Sequence, residues 1–464
     1  MLEYTVFLLI ISAFLMLAFK KDLIAIFSTA ASFIIICMAF LFKNIETVRF
    51  GGWAPPLGIV WVADKFGLFI AILITGVSFL VALYSTKYIK EKKHRFYALL
   101  CLLTAGLLGV SLTGDIFNMY VFFEIMSISS YAIVSFFLDK DAIEGALKYL
   151  IIGSLSSSFI LIGIALLYGL TGTLNMADLV IKISHTPPYL TAFGLILIGF
   201  AFKSAIIPFH AWKPDAIQGT PIPAGIIFTT ASVTIGIYGI TRIMFIFNLL
   251  TLTTAFIFFG VVTMIIGAIL ALIQINVKRM LAYSCISQVG YITMAIGLGT
   301  RSGLISGFYH ILNNILIEAL LFASIGCVIY ATKETSLDKI SVKNNTLLIA
   351  TSIGILSLAG VPLFNGFVSK WLIYTASLEV NPSLTVIAVV ISAITLAYGV
   401  KIISIFFNPS GKTIKIPKAM LVPVVVLAFL CILIGIFPHI GLSLVEPAVN
   451  ALLNQNHYLT TVLG

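Results

Sequence analysis

The chain has 464 residues, 60% of them hydrophobic and only 9% charged, with a formal net charge of +10. That composition excludes a soluble globular domain of this size. The positive charge sits mainly in loops between apolar runs, as in membrane proteins, and does not mark a nucleic-acid partner.

Apolar runs of about 20 residues recur from end to end, each long enough to cross a bilayer as a helix. The ten-residue alternating strands of a β-barrel are absent. The fold class is therefore all-α, a polytopic membrane protein lying in the lipid bilayer. The first run carries Glu3, lacks a basic leader and ends in Lys20 and Lys21, so it reads as a span and not a cleaved signal. Fourteen spans are predicted, near residues 2–19, 23–42, 66–86, 97–113, 116–138, 146–170, 189–209, 222–247, 253–276, 280–299, 303–331, 346–376, 382–407 and 418–438. A short, mostly apolar tail follows.

Lys and Arg set the orientation. Loops after odd-numbered spans hold Lys20, Lys21, the run KYIKEKKHR from Lys87 to Arg95, Lys140, Lys148, Lys213, Lys278 and Arg279, among others. The other side holds only Lys43, Arg49, Lys65, Lys182, Arg242 and Arg301. Both termini are predicted to face outward, with the odd loops in the cytoplasm.

Two spans are interrupted. The seventh, GFAFKSAIIPFHAWKP, carries Lys203 and is broken by Pro208, with His210 and Lys213 at its end. The twelfth, LAGVPLFNGFVSKWLIY, contains Gly360, Pro362, Gly366 and Lys370. Breaks at matching places point to inverted repeats and a path at the membrane midplane. Their freed backbone groups need water or neighbours, so the breaks are expected to line a cavity.

A charge inside an apolar helix costs a few kcal/mol on insertion scales and marks function. Lys203 is one such charge. Glu124, inside MYVFFEIMSISSY, is a second, and the two are expected to pair. His310, Asn314 and Glu318 lie at intervals of four in FYHILNNILIEALLF, so they share one helix face and could order a proton wire. Lys370 closes the series. Lys278 and Arg279 read as anchors of a helix end, and Lys401 as a lysine reaching the interface. The serines of GSLSSS read as close helix packing, and Asp115 as either a loop acid or the partner of a buried base. The five cysteines form no CxxC or Cys/His cluster, so no metal or cofactor is expected. No catalytic chemistry of the chain's own is visible.

Five stretches, GDIFNMYVFFEIMSISSYAIVSF, ALKYLIIGSLSSS, GFAFKSAIIPFHAWKPDA, VKRMLAYSCISQVGYI and GVPLFNGFVSKWLIY, resemble the antiporter-like subunits of respiratory complex I, Mrp cation/proton antiporters and membrane-bound energy-converting hydrogenases. The SKW at Lys370 and the short tail look most like the hydrogenase branch and the D-type subunits of the Mrp branch. The resemblance spans roughly residues 50–410. It implies inverted five-helix repeats at spans 4–8 and 9–13. The chain then divides into an N-terminal segment (1–96), a first repeat (97–247), a second repeat (248–407), and a last helix with its tail (408–464). It also implies that the positions of Glu124, Lys203, His310 and Lys370 form a proton path. The chain departs from the family at Thr234, where a lysine is usual in the eighth helix, and at Glu318, where several members carry a lysine.

These readings lead to a proton- or cation-translocating subunit (H⁺ or Na⁺) in a prokaryotic plasma membrane, bound to other membrane subunits of a redox-driven complex or Mrp-type antiporter. The path is expected to use Glu124, Lys203, His310, Glu318 and Lys370, with His210, Thr234, Asn314, Lys278 and Asp115 as accessories. The alternatives are a structural subunit that has lost conduction, suggested by Thr234, and a free-standing transporter of a small solute. A solute site would call for aromatics and several donors converging on an unwound helix.

Overall fold

The computed structural model describes residues 2–42, 45–184, 186–407 and 411–464; Lys43, counted above among the loop charges, lies outside them. The chain opens with α1 (Leu2–Phe19) and α2 (Asp22–Phe42). A hairpin that span counting did not foresee follows. Strands β1 (Ile45–Arg49) and β2 (Val60–Asp64) pair antiparallel, Ile45 opposite Asp64 and Arg49 opposite Val60. All five β2 residues are buried, and Asp64 at its end caps the next helix by accepting from the Gly67 N–H at 2.8 Å.

The first half continues with α3 (Lys65–Tyr88), α4 (Lys93–Leu112), α5 (Ile116–Val134), α6 (Lys140–Thr171), the short α7 (Met176–Lys182) and α8 (Pro187–Ser204). The broken helix resumes as α9 (Trp212–Gly219). Next come α10 (Ile222–Ile227), a π-helical turn at Phe228–Ser232 and α11 (Val233–Ile246), which together make one span. The second half holds α12 (Thr253–Ile273), α13 (Val277–Gly297), α14 (Arg301–Thr332), the broken pair α15 (Asn345–Ala359) and α16 (Asn365–Val380), and α17 (Pro382–Ser404). The chain closes with α18 (Lys418–Ile436), α19 (Pro438–Leu453) and α20 (Gln455–Leu463).

Thirteen helices among the described residues are long and apolar enough to cross a membrane, and the interrupted α15–α16 supplies the remaining predicted span. The all-α polytopic reading holds. The tail is not loose: Tyr309 donates to the Pro438 carbonyl at 3.2 Å, and Gln455 donates to that of Ile246 at 2.6 Å, so α19 and α20 are tied across both halves.

Burial separates core from rim. The most apolar window of Ile222–Ile246 is 100% buried and that of α13 94%, against 33% for α6, α12 and α17. Helices α3, α4, α10, α11, α13 and α14 therefore form the centre, and rim helices such as α2, α12 and α17 turn large apolar side chains such as Phe27, Phe258 and Val386 outward. Both α6 and α14 have 32 residues, about 48 Å against a hydrocarbon core of about 30 Å, so both must tilt or project beyond it.

Two charges assigned above to loops are buried. Arg242 is 3% exposed and makes a bidentate pair with Asp64, at 2.6 and 2.7 Å, while its Nε and one terminal nitrogen also donate to the Tyr238 hydroxyl. Lys213 is 0% exposed. Each lies beside a span end, where hydropathy alone cannot separate an inward from an outward side chain.

Candidate functional site

The break in the seventh span starts before its proline. Pro208 has no N–H to donate and disfavours helix at the residue before it. The helix ends at Ser204, and Ala205 takes a left-handed φ of 57°. The freed groups find neighbours: the Trp212 indole donates to the Phe202 carbonyl at 3.0 Å, and the Ile207 N–H donates to Thr263 Oγ1 at 3.0 Å. Pro208 itself is exposed. The freed backbone groups of this break are thus met by side chains, while Ile206, Ile207 and Phe209 line an open apolar pocket with Leu252 and Phe256.

In the twelfth span, Gly360 ends α15 with a φ of +81°, and a Cβ on Gly366 would lie 1.7 Å from the Ser357 carbonyl. Only glycine permits that approach. Asn313 of α14 clamps the break: it donates to the Asn365 carbonyl at 2.6 Å and accepts from Asn365 Nδ2 at 3.2 Å.

Lys203 occupies the last turn of α8, where the helix dipole favours a cation. Its ammonium donates to the Tyr149 hydroxyl at 2.5 Å and to Ser127 Oγ at 3.4 Å, and lies over the Phe123 and Tyr149 rings. It is not in ion-pair contact with Glu124. That carboxylate is half-buried, with Oε1 unpartnered, one turn before Ser127 on α5. The expected Glu124–Lys203 pair is thus open in this structure.

His310, Asn314 and Glu318 share the buried face of α14, as their spacing predicts. They do not bond one another. His310 Nε2 lies 3.2 Å from Gln288 Oε1 and Nδ1 lies 2.9 Å from Ser369 Oγ, whose hydroxyl also donates to the Gly366 carbonyl at 3.1 Å. Glu318 accepts from Ser284 Oγ at 3.4 Å, and Ser284 in turn accepts from the Tyr398 hydroxyl at 3.1 Å. Asn314 Oδ1 is buried without a partner. Lys370 is buried and does not reach the interface; it donates to Ser392 Oγ at 2.8 Å and lies 4.9 Å above the Tyr291 ring.

One helix joins these groups. Ser284, Cys285, Gln288 and Tyr291 project from one face of α13 and meet Glu318, Lys213, His310 and Lys370 in turn. Sequence reasoning missed all four, although they sit inside the stretch AYSCISQVGYI at helical spacing. Neutral polar residues at a spacing of three and four are the only signal they carry.

The accessory residues scatter. Lys278 donates to the Gln218 and Thr220 carbonyls at 2.7 and 2.8 Å and so caps the end of α9. Arg279 and Lys148 both hold Asp215, the latter at 2.7 Å, which fastens α9 between α6 and α13. Lys401, exposed near the end of α17, donates to the Leu272 carbonyl at 2.5 Å. Of the GSLSSS serines, Ser156 bonds across helices, to the Gly199 carbonyl at 2.7 Å, while Ser154 and Ser158 bond within α6. His210 is half-buried in the first break, with Nδ1 unpartnered. Thr234 is buried and makes no side-chain hydrogen bond to the described residues.

Asp115 is the N-cap of α5, just outside the span, and accepts from the Asn118 N–H at 2.7 Å. Burial pushes its carboxyl up from 3.8 to about 6, against the backbone N–H donors of Asn118 and Phe117. A carboxyl raised on folding lowers stability wherever it must be ionised, so the cost is absent below 3.8 and complete above about 6. Asp115→Asn keeps a capping oxygen and removes the charge. It is expected to raise stability at pH 8 by up to about 3 kcal/mol, since each tenfold change in an ionisation constant is worth about 1.4 kcal/mol. The gain should shrink as the pH falls toward 4. Thermal unfolding at pH 8 and pH 5 checks this; a gain independent of pH refutes it.

The family model described as "NADH:quinone oxidoreductase/Mrp antiporter, TM" matches residues 113–395, and that for the N-terminus of complex I chain 5 matches residues 56–97. The D-type Na(+)/H(+) antiporter subunit of Bacillus subtilis is 33% identical, covering 98% of this chain and 97% of that protein. The N-type NADH-quinone oxidoreductase subunit of Desulforudis audaxviator is 32% identical, covering 83% of each. A chain of the membrane-bound sulfane sulfur reductase, an archaeal respiratory membrane complex, is 33% identical. It superposes with a TM-score of 0.94 over 100% of this chain and 99% of its own.

Proposed function

The chain belongs to the NADH:quinone oxidoreductase/Mrp antiporter transmembrane family, and we propose that it carries protons, or protons in exchange for another cation such as Na⁺, through its membrane core as one subunit of a larger complex. The observation that carries this reading is the file of buried ionisable side chains, Lys203, Glu318, His310 and Lys370. Each is held by a hydroxyl or amide, and none is locked in an ion pair with another described residue. A static buried charge is normally matched by an opposite one. A proton carrier needs partners that tolerate both protonation states, and hydroxyls, which donate or accept, are such partners.

Residues 97–247 and 248–407 are read as two inverted repeats. The pairing of the 32-residue α6 with α14, five spans apart, supports this, as does the pairing of the two broken helices at the same offset. Glu124 serves as the entry acid of the first repeat, able to meet Lys203 once either side chain swings. We assign the complex to a prokaryotic plasma membrane with both termini outside, on the excess of Lys and Arg in the loops after odd-numbered spans.

The test is the purified complex in vesicles with a pH-sensitive dye, energised by its own reaction or by an imposed cation gradient. Glu318→Gln is expected to lower ion movement by roughly 10²-fold, the usual contribution of a positioned proton-transfer group, with assembly retained on native gels. Unchanged ion movement in that variant counts against the path.

A further inference from the structure

We propose that Lys213 is the proton carrier at the centre of the molecule, passing a proton between the two halves to Glu318. The proposal rests on the reading above and adds a residue that the sequence placed in a loop.

Among the described residues the buried lysines and arginines are Lys203, Lys213, Arg242 and Lys370. Arg242 is locked to Asp64 by two short bonds and serves structure. Lys203 and Lys370 sit at the breaks of the two halves. That leaves Lys213 as the one buried cation between Lys203 and Glu318. Thr234, which lacks a charge, cannot fill that place.

The surroundings of Lys213 do not suit a static cation. An ammonium has three N–H donors. Among the described residues its one hydrogen-bonding partner is Cys285 Sγ, at 2.8 Å, and a thiol sulfur is a weak acceptor. Cys285 hands its own S–H to the Thr229 carbonyl at 3.1 Å, in the π-helical turn, and such turns recur at functional sites. Glu318 is under-satisfied in the complementary sense. It is 0% exposed, its Oε2 has no hydrogen-bond partner, and its Oε1 has only the 3.4 Å contact from Ser284.

The two unsatisfied groups are held by consecutive residues of α13. Ser284 holds Glu318 and Cys285 holds Lys213, so both groups face the same turn of one helix. Lys213 comes from α9 in the first half and Glu318 from α14 in the second. A flexible four-carbon stem can swing an ammonium from the thiol to the carboxylate.

The step balances without a co-reactant. One N–H bond of the Lys213 ammonium breaks and one O–H bond forms on Glu318. An ammonium and a carboxylate become an amine and a carboxylic acid. Lys213 then regains a proton from the first half, the side on which the buried Lys203 lies.

Arginine separates a carrier from a fixed charge, because it keeps the cation but does not release a proton. Lys213→Arg, Lys213→Leu and Lys213→His are to be compared with wild type in vesicles of the purified complex, with assembly followed on native gels. Both Lys213→Arg and Lys213→Leu are expected to lower ion movement by roughly 10²-fold, the scale of one proton-transfer group. Lys213→His is expected to recover part of it, with the pH profile displaced downward. The histidine variant keeps the test decisive should the bulkier arginine fail to assemble: a Lys213→His complex with an unshifted pH profile overturns the proposal. So does Lys213→Arg with wild-type ion movement. Lys203→Met run alongside distinguishes the two levels. If it too moves ions normally, the proposed function fails; if it is inactive while Lys213→Arg is active, only the role of Lys213 fails.

Discussion

Vesicles carrying Lys203→Met are expected to hold a fully assembled complex whose ion movement is lower by roughly 10²-fold or more, the scale for removal of one proton-transfer group. The structure explains why assembly survives. Lys203 contacts two neutral hydroxyls and two aromatic faces, and no carboxylate among the described residues is in ion-pair contact with it. Methionine has similar length and leaves no opposite charge stranded. The losses are a pair of hydrogen bonds, each worth about 1 kcal/mol, offset by removal of a charge that is costly in an apolar bundle. Native gels and dye-monitored ion movement measure the two properties separately. Normal pumping by the variant would remove Lys203 from the path, and loss of the assembled complex would show that its ammonium is structural.

The opposite outcome is expected at Asp64. Its carboxylate holds the buried Arg242 guanidinium by two bonds, and Tyr238, Phe66 and Tyr458 enclose the same group. Asp64→Ala strands a cation that cannot deprotonate, a change that typically costs about 3–5 kcal/mol. It also removes the cap that accepts from Gly67, for about 1 kcal/mol more. The variant should assemble poorly or unfold at a markedly lower temperature. Asp64→Asn with Arg242→Met, which keeps a cap and removes both charges, should recover most of the loss. If the paired replacement is no more stable than Asp64→Ala, the ion pair is not what holds the hairpin to α11.

These two cases mark what could be read from the residues alone. Apolar runs of membrane length announce themselves, and so do Pro208 and Gly360 inside them. Lys203, Glu318, His310 and Lys370 stand out because each interrupts such a run. Lys213 does not: His210, Pro214 and Asp215 surround it, and that company reads as a loop. The true buried ion pair joins residues 178 positions apart, so no local pattern records it, whereas Glu124 and Lys203 looked like partners because each lies alone in hydrocarbon. The hairpin was hidden by its short strands, and α19 by its modest apolar character. Ser284, Cys285 and Gln288 are ordinary polar residues until α14 and α9 are laid beside them.

The arrangement on α13 has a kinetic corollary. A helix is a stiff rod, and four of its side chains each hold a different ionisable group of the proposed path. A slide or roll of that rod by about an ångström, within the range of known helix shifts, would loosen some of these contacts and tighten others in the same instant. Lys213, Glu318, His310 and Lys370 need not wait for one another, because the rod keeps time for all four. Partner exchange along α13 is then synchronous, set by one mechanical coordinate and not by a succession of independent hops.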